Sequence, residues 1–371
     1  MRRKKLNYLY SPLVFYFARH AFLYYFSSII ILSFIVCLSE LIEYGKITSN
    51  IETSGFLFNF KMALLKMPLR IQDLLPYAIF FGSIISLLRL SKNSELIIAR
   101  SAGLNIWLCS LPHIFIAFLI GIISVSVLSP ITSVTQKKLI QIENKYLNKN
   151  TNSLQISNGG FWLYQKEEEE NTAIIHAESI DPNNIQLKNV IIFRYNNKHE
   201  FYERIDGENT QLEIGYWKIK NGKKTDKDLN TSNFIEYQMP TNFTSSQIKE
   251  SFAPPETVSF WSMPNFIEII EKSGFSSRKH KIYWYSILAT PFLLIGMALM
   301  GVIFAVKPLG RHGIGKRLFI ATIIAFIVFF INDVIAALGQ GSNSSEILSA
   351  WAPKLAPMII SSSIILYLED S

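Results

Sequence analysis

The chain has 371 residues, 49% of them hydrophobic and only 17% charged, a balance too apolar for ordinary soluble domains. Its net charge of +8 would suit nucleic acid, but the basic residues gather beside apolar runs rather than among aromatics on one soluble face. That distribution points to a membrane surface and away from a nucleic-acid partner. Cys37 and Cys109 sit far apart inside apolar segments, which argues against a disulfide framework and excludes a zinc site of cysteine type.

In chain order, Arg2, Arg3, Lys4 and Lys5 precede an apolar stretch over about 11–42. It is too long for a signal peptide and has no small-residue cleavage site, so it reads as an uncleaved first span. After a polar hairpin around 45–55, a second span reaches full apolarity at 71–88 and a third covers 106–131. Runs of about 18 or more such residues are long enough to cross roughly 30 Å of hydrocarbon. Between 132 and 281 polar residues dominate, and β-rich pieces at 173–176, 189–195 and 211–219 are broken by Asn, Asp and Gly clusters, the spacing of a sheet domain. Three more spans follow at about 282–306, 318–338 and 347–368. The expected fold is an α-helical polytopic membrane protein of six transmembrane helices with an inserted all-β domain. Residues 1–132 form spans one to three with a short helix at about 92–103, residues 133–258 form the β domain, and residues 259–371 form a linker and spans four to six.

Orientation follows from Lys and Arg in the short loops. The amino terminus, the loop with Arg89, Lys92 and Arg100, and the loop with Lys307, Arg311, Lys316 and Arg317 share one face, which is therefore cytoplasmic. Both termini then lie in the cytoplasm, and the sheet domain projects from the opposite, periplasmic face of a bacterial inner membrane. Lys46, Lys61, Lys66 and Arg70 depart from this rule, since all belong to the outer hairpin. Two readings stand: they snorkel to lipid phosphates, or they form a site for an anionic headgroup, joined by Lys137 and Lys138 after span three and by Arg278, Lys279 and Lys281 before span four.

The segment 310–317, Gly-Arg-His-Gly-Ile-Gly-Lys-Arg, approaches a phosphate-binding G-x-x-x-x-G-K-[ST] loop, but Arg317 replaces the magnesium-holding hydroxyl and the segment joins two spans. It reads as a positive turn. His199-Glu200 lacks the second histidine of a zinc protease, so no metal site is expected, and no recognised catalytic cluster is present. Asp73, Asn332 and Asp333 are candidates for proton-relay groups or for water-exposed polar groups, and the glutamate run at 167–170 reads as a solvated hairpin tip. The loop 89–103 carries a short helix: Ser94 as cap, Glu95 in the first turn, Leu96, Ile97 and Ala99 as an apolar side, and Gly103 at the end. It is either a connector lying on headgroups or a knob for a groove on a soluble partner.

Several features together resemble the permease subunits of the lipopolysaccharide-export ABC transporter, the LptF/LptG family, and LptG more than LptF. They are the amino-terminal span, Leu74-Leu75-Pro76 leading into span two, Asn93-Ser94-Glu95-Leu96 ending in Ala102-Gly103, Gly159-Gly160-Phe161-Trp162 opening the insert, and Ser259-Phe260-Trp261 through Gly274 before the last spans. The resemblance implies a periplasmic β-jellyroll, pairing with a paralogous permease, a separate cytoplasmic ABC ATPase dimer that holds the ATP and magnesium this chain lacks, and a periplasmic bridge protein of jellyroll type. It places Ser94, Glu95, Leu96 and Arg100 on the helix that couples to the ATPase, and Lys46 at a lipid-facing position; Lys137 and Lys138 stand where LptG-type chains tend to carry arginines.

The function expected is non-catalytic: extraction of lipopolysaccharide from the outer leaflet, its phosphates on Lys46, Lys61, Lys66, Arg70, Lys137 and Lys138, and delivery toward the outer membrane. Phe193, Tyr195, Tyr216 and Trp217 either line a groove for acyl chains or are core. The rivals are a membrane enzyme and a mechanical transmitter that moves no lipid.

Overall fold

A computed structural model describes residues 12–49, 55–146, 153–157, 160–166, 171–181, 185–196, 200–228, 230–241, 243, 254–272, 276–306, 313–341 and 345–370. Arg2, Arg3, Lys4, Lys5, Gly159, residues 167–170, His199, Gly274, Lys307 and Arg311 lie outside the described residues, as do the side chains of Lys316, Arg317, Asn332 and Asp333. The chain divides into two compact units, one of residues 1–136 and 281–371, the other of residues 137–280. The second extends past the 258 boundary read from the sequence.

The first unit is helical. Helix α1 spans Pro12–Ile47, α2 Phe56–Lys92 and α3 Glu95–Ser101; α4, Ile106–Ile123, runs through a π-helical turn, Ser124–Leu128, into α5, Ser129–Tyr146. Five helical segments among the described residues are long and apolar enough to cross a bilayer: Pro12–Ile47, Phe56–Lys92, Ile106–Glu143, Arg278–Ala305 and Glu346–Glu369. The sixth expected span falls on a further helix, Gly313–Gly341, whose described apolar stretch is Phe319–Val328.

Helix α2 starts well before the apolar run at 71–88. Phe56, Leu57, Phe58 and Phe60 already supply helical apolar surface, so the chain has no reason to leave the helix, and Pro76 falls in its interior. Intramembrane proline is tolerated because neighbouring groups satisfy the freed carbonyls. Contacts between the long helices depend on small residues, as expected where lipid gives no hydrophobic drive to associate. A Cβ on Gly301 would lie 2.4 Å from Ser83 Cβ, and one on Gly121 would lie 2.5 Å from Pro291 Cα. Buried polar groups form a seam across α1, α2 and α4: the Tyr25 hydroxyl meets Ser83 Oγ at 2.7 Å and donates to the His113 carbonyl, while His113 Nε2 lies 3.2 Å from Ser86 Oγ. At the π turn the Ser124 carbonyl accepts from Gln72 Nε2 at 3.4 Å, a local use of the irregular helix.

The second unit is a seven-stranded antiparallel sheet in sequential order: β1 Ser153–Ser157, β2 Gly160–Lys166, β3 Thr172–Asp181, β4 Gln186–Tyr195, β5 Phe201–Glu213, β6 Tyr216–Asp226 and β7 Thr231–Pro240. In a flat sheet β2 and β6 would stand about 19 Å apart, four spacings of about 4.8 Å. Yet Trp217 Nε1 of β6 donates to Gln165 Oε1 of β2 at 3.3 Å, and Gln165 Nε2 donates to the Pro240 carbonyl at 2.8 Å. The sheet is therefore folded over on itself, with Leu163, Ile175, Ile192, Ile205, Trp217 and Ile219 buried between its halves.

A crease makes the fold possible. In β3, β4, β5, β6 and β7 the alternation of facing slips at one level: the ladder pairs Ala177, Val190, Gly207, Gly222 and Phe234 in succession and skips Glu178, Asn189, Glu208, Asn221 and Ile235 beside them. Asn189 and Asn221 adopt φ of 49° and 51°, a left-handed backbone asparagine tolerates better than most residues. A Cβ on Gly222 would come 2.4 Å from the Phe234 ring, so only glycine lets that ring close over the bend. The result has the two facing layers expected of a jellyroll-like domain, reached by bending a single meander. Helix α6, Met263–Lys272, buries Met263, Ile267 and Ile270, one face at helical spacing, and Phe266 and Ile270 pack with the sheet core.

Helices α7, Arg278–Val306, α8, Gly313–Gly341, and α9, Glu346–Asp370, complete the chain.

Candidate functional site

Lys61, Lys66 and Arg70 are not hairpin residues: all three ride on α2. Lys66 and Arg70, four apart, share a face of that helix, and Glu40 of α1 stands against it. Arg70 Nε donates to Glu40 Oε1 at 2.6 Å, and Lys66 Nζ lies 2.6 Å from Glu40 Oε2 and 3.7 Å from Glu43. The Glu40 side chain is only 4% exposed. Lys66 also sits 5.4 Å from the centre of the Tyr44 ring, and Arg70 reaches Asp73 at 4.0 Å.

This corrects the picture of an open cation cluster. A buried carboxylate in apolar surroundings is stable only when its charge is compensated, and Glu40 takes both neighbouring cations for that purpose. Lys66 and Arg70 are thereby neutralised internally. Lys46, at the end of α1, and Lys61 are exposed, and neither makes an ion pair of 4 Å or less among the described residues. Lys137 and Lys138 are likewise exposed but belong to the second unit. Glu40 was missed in the sequence because a single acid at the end of a greasy run looks like a boundary. The spacings Glu40/Glu43 and Lys66/Arg70, three and four residues, were the available signal.

The helical unit holds a further cation on a membrane helix, with no pattern in the sequence to mark it. Lys354 of α9 is half-buried, and its Nζ donates to Thr290 Oγ1 of α7 at 3.0 Å. Asp73, expected as a relay or a water-exposed group, is exposed beside Arg70.

The short helix α3 forms between Ser94 and a Schellman end: Gly103 N–H donates to the Arg100 carbonyl and Leu104 N–H to the Ala99 carbonyl, with Gly103 at φ 89°. Ser94 occupies the cap position in a left-handed turn, φ 64°, and its side chain makes no cap hydrogen bond, contrary to expectation. Asn93 Nδ2 instead donates to Glu95 Oε1 at 3.1 Å, and Tyr16 of α1 approaches the same carboxylate. Leu96, expected among the docking residues, turns inward at 3% exposure and joins the helical core with Ala99. The outward face holds Ile97, Ile98 and Arg100, with Ile98 64% exposed.

In the sheet, Phe193, Tyr195, Tyr216 and Trp217 do not share a surface. Trp217 is core, while Phe193 stacks under the Arg204 guanidinium, Tyr195 meets Phe201 edge-on, and the Tyr216 hydroxyl donates to Glu213. Adjacent residues of a strand point to opposite faces, which is why Tyr216 and Trp217 part company. No group of three or more His, Cys, Asp or Glu residues that could hold a metal ion occurs among the described residues.

A comparison with known families matches residues 15–368 to the lipopolysaccharide export system permease LptF/LptG. No curated protein matches the chain. The match runs from the first membrane helix through the folded sheet to the last helix, and takes in all of the second unit and most of the first. This polytopic membrane chain with an inserted β domain therefore belongs to the LptF/LptG family of lipopolysaccharide-export permeases.

Proposed function

We propose that the chain is an LptG-type transmembrane subunit of an ABC exporter. It would take lipopolysaccharide from the outer leaflet of the inner membrane and pass it to a periplasmic bridge protein. In this reading it catalyses nothing itself: a cytoplasmic ATPase dimer holds ATP and magnesium, and a paralogous permease completes the complex. The observation that supports the permease reading is the family match over both units, which covers LptF and LptG alike; the preference for LptG rests on the sequence resemblance alone.

With both termini in the cytoplasm, α3 lies on the ATPase side. Its exposed Ile97, Ile98 and Arg100 then form the docking face, and Glu95 and Leu96 hold the helix to its own bundle. An apolar pair flanked by a cation suits a groove that anchors residues one turn apart. Lys46 and Lys61 of the helical unit supply charge for lipid phosphates, and Lys137 and Lys138 of the other unit are separately exposed to such a group. Lys66 and Arg70 act in reserve behind Glu40, and an incoming phosphate would have to compete with that carboxylate.

Two experiments test this. Ile98→Glu should abolish co-purification of the ATPase while the permease still reaches the membrane; undiminished recovery would remove α3 as the docking element. Replacing Lys46 and Lys137 by Ala should reduce both lipid-stimulated ATP hydrolysis and lipopolysaccharide crosslinking, and unchanged values would remove the exposed cations from the lipid path. Native mass spectrometry of the complex separates transport from mechanical transmission, because a transporter carries the lipid and a transmitter does not.

A further inference from the structure

We propose that α4 and α5 form a two-state helix with the π turn, Ser124–Leu128, as its pivot, and that α5 rotates about its own axis by about 100° when the turn is lost. The switch belongs to the helix itself and does not depend on the export reading. In the turn, Ser129 N–H donates to the Ser124 carbonyl, five residues back instead of four, so the backbone winds in one residue more than an α-helix needs. Two side chains tend the carbonyls around it: Ser126 Oγ donates to the Ile122 carbonyl at 2.8 Å, and Gln72 Nε2 of α2 donates to the Ser124 carbonyl at 3.4 Å. Pro130 has no N–H to give, so a rung just above is missing as well. Proline alone does not explain the turn, since Pro112, Pro291, Pro353 and Pro357 all lie inside helices that stay α.

The segments on either side of the turn are held very differently. Before it, α4 is clamped: a Cβ on Gly121 would lie 2.5 Å from Pro291 Cα of α7, which leaves no room to rotate. After it, Ser129, Thr132, Ser133 and Gln136 recur at the spacing of one helix face, and all four are buried. Thr132 Oγ1 and Gln136 Nε2 find no hydrogen-bond partner among the described residues. Buried polar groups in that condition cost free energy, so this face is a poor one to hold against the bundle.

A plain α-helix through the same sequence would present another face. Losing the extra residue from the turn advances every later residue by one place, and the positions of Ser129, Thr132, Ser133 and Gln136 pass to Leu128, Ile131, Thr132 and Thr135. Ile131 is exposed in the present state and Leu128 only partly buried. Two apolar side chains thus enter the bundle while Ser129, Ser133 and Gln136 leave it. Their exit is inexpensive at this level, because Ser129 stands about 35 Å along the helix from Ile106, past the roughly 30 Å of hydrocarbon. The helix therefore carries two usable faces, and the π turn selects between them. Because α5 leads out of the first unit, which ends at Gln136, and into the second, its rotation passes to the chain that enters the sheet.

The test is maleimide labelling of the full chain in lipid nanodiscs, read by peptide mass spectrometry at Gln136→Cys and Ile131→Cys. Rotation makes the two sites reciprocal, one gaining access as the other loses it. Gln72→Leu removes the hold on the Ser124 carbonyl, and should raise labelling at position 136 at least threefold while lowering it at position 131. Deleting Val127 takes out the extra residue and keeps the later residues in their present places as a plain α-helix, so labelling at 136 should slow at least tenfold. Labelling that moves in the same direction at both sites in Gln72→Leu is fraying rather than rotation and overturns the proposal, as does labelling at 136 that the deletion leaves unchanged. Should the deletion fail to fold, the presence or absence of the reciprocal change in Gln72→Leu decides alone.

Discussion

The two units solve the same electrostatic problem in different solvents. In the helical unit Glu40 is gripped by Lys66 and Arg70; in the sheet Glu203 accepts from Arg194 at 2.7 Å and lies 2.5 Å from Lys224. Both carboxylates are nearly buried, and both triads join separate elements. The difference is what surrounds them. The cations are equally exposed in the two units, Arg194 and Lys224 at 17% and 38% and Lys66 and Arg70 at 18% and 37%, so the difference is the medium alone: Lys66 and Arg70 lie on a helix long and apolar enough to cross the bilayer, where water is a poorer alternative. One motif is thus a convenience in the sheet and close to a requirement in the bundle.

The comparison can be broken experimentally, beginning with the largest effect. Glu40→Ala should destabilise the helical unit by about 2–3 kcal/mol, below the roughly 3–5 kcal/mol of a fully buried pair because Arg70 is partly exposed. Thermal unfolding in lipid nanodiscs reads this, and a loss smaller than that of Glu203→Ala would reverse the ranking. Gly301→Val should follow at roughly 2 kcal/mol, since the new Cβ meets the backbone of α2 as well as Ser83 and neither can yield. Native-like melting would show that α7 and α2 are not closely packed.

Glu203→Ala should cost about 1–2 kcal/mol at neutral pH, because the two cations recover water. The hydrogen bond that Lys224 donates to Glu203 raises the lysine above its ordinary value. A raised cation stabilises fully below the ordinary lysine range of about 10.4 and loses that contribution as pH climbs through the folded-state value. The gap between native and variant should therefore hold through the neutral range and narrow in strong alkali, and a gap that closes between pH 5 and 8 would contradict the assignment. Smallest of all is the surface pair Lys218–Glu236, 3.0 Å apart. Lys218 holds Glu236 below the ordinary carboxylate range, so its contribution is present at neutral pH and fades as acid carries the solution through that lowered value. In Lys218→Met, an NMR titration should find Glu236 back near its ordinary range with the melting temperature unchanged.

The sequence by itself determined the division into membrane and β-rich parts. Apolar length and alternation are local properties, readable wherever hydrocarbon or a sheet face imposes them. It also disclosed the end of α3, because Gly103 must take up a backbone that other residues resist. What it did not disclose are relations between residues distant in the chain. Glu40 meets Arg70 across 30 positions, and Gln165 meets Trp217 across 52. Leu96 and Ile98 look equivalent in a string of apolar residues, and only packing sends one inward and leaves the other exposed. The crease, too, is a cooperative slip of five strands, recorded in sequence only as scattered Asn and Gly. Composition and periodicity state which solvent each segment prefers. Tertiary structure alone decides which cation is already compensated and which is left for a ligand, because charge compensation depends on distance in space.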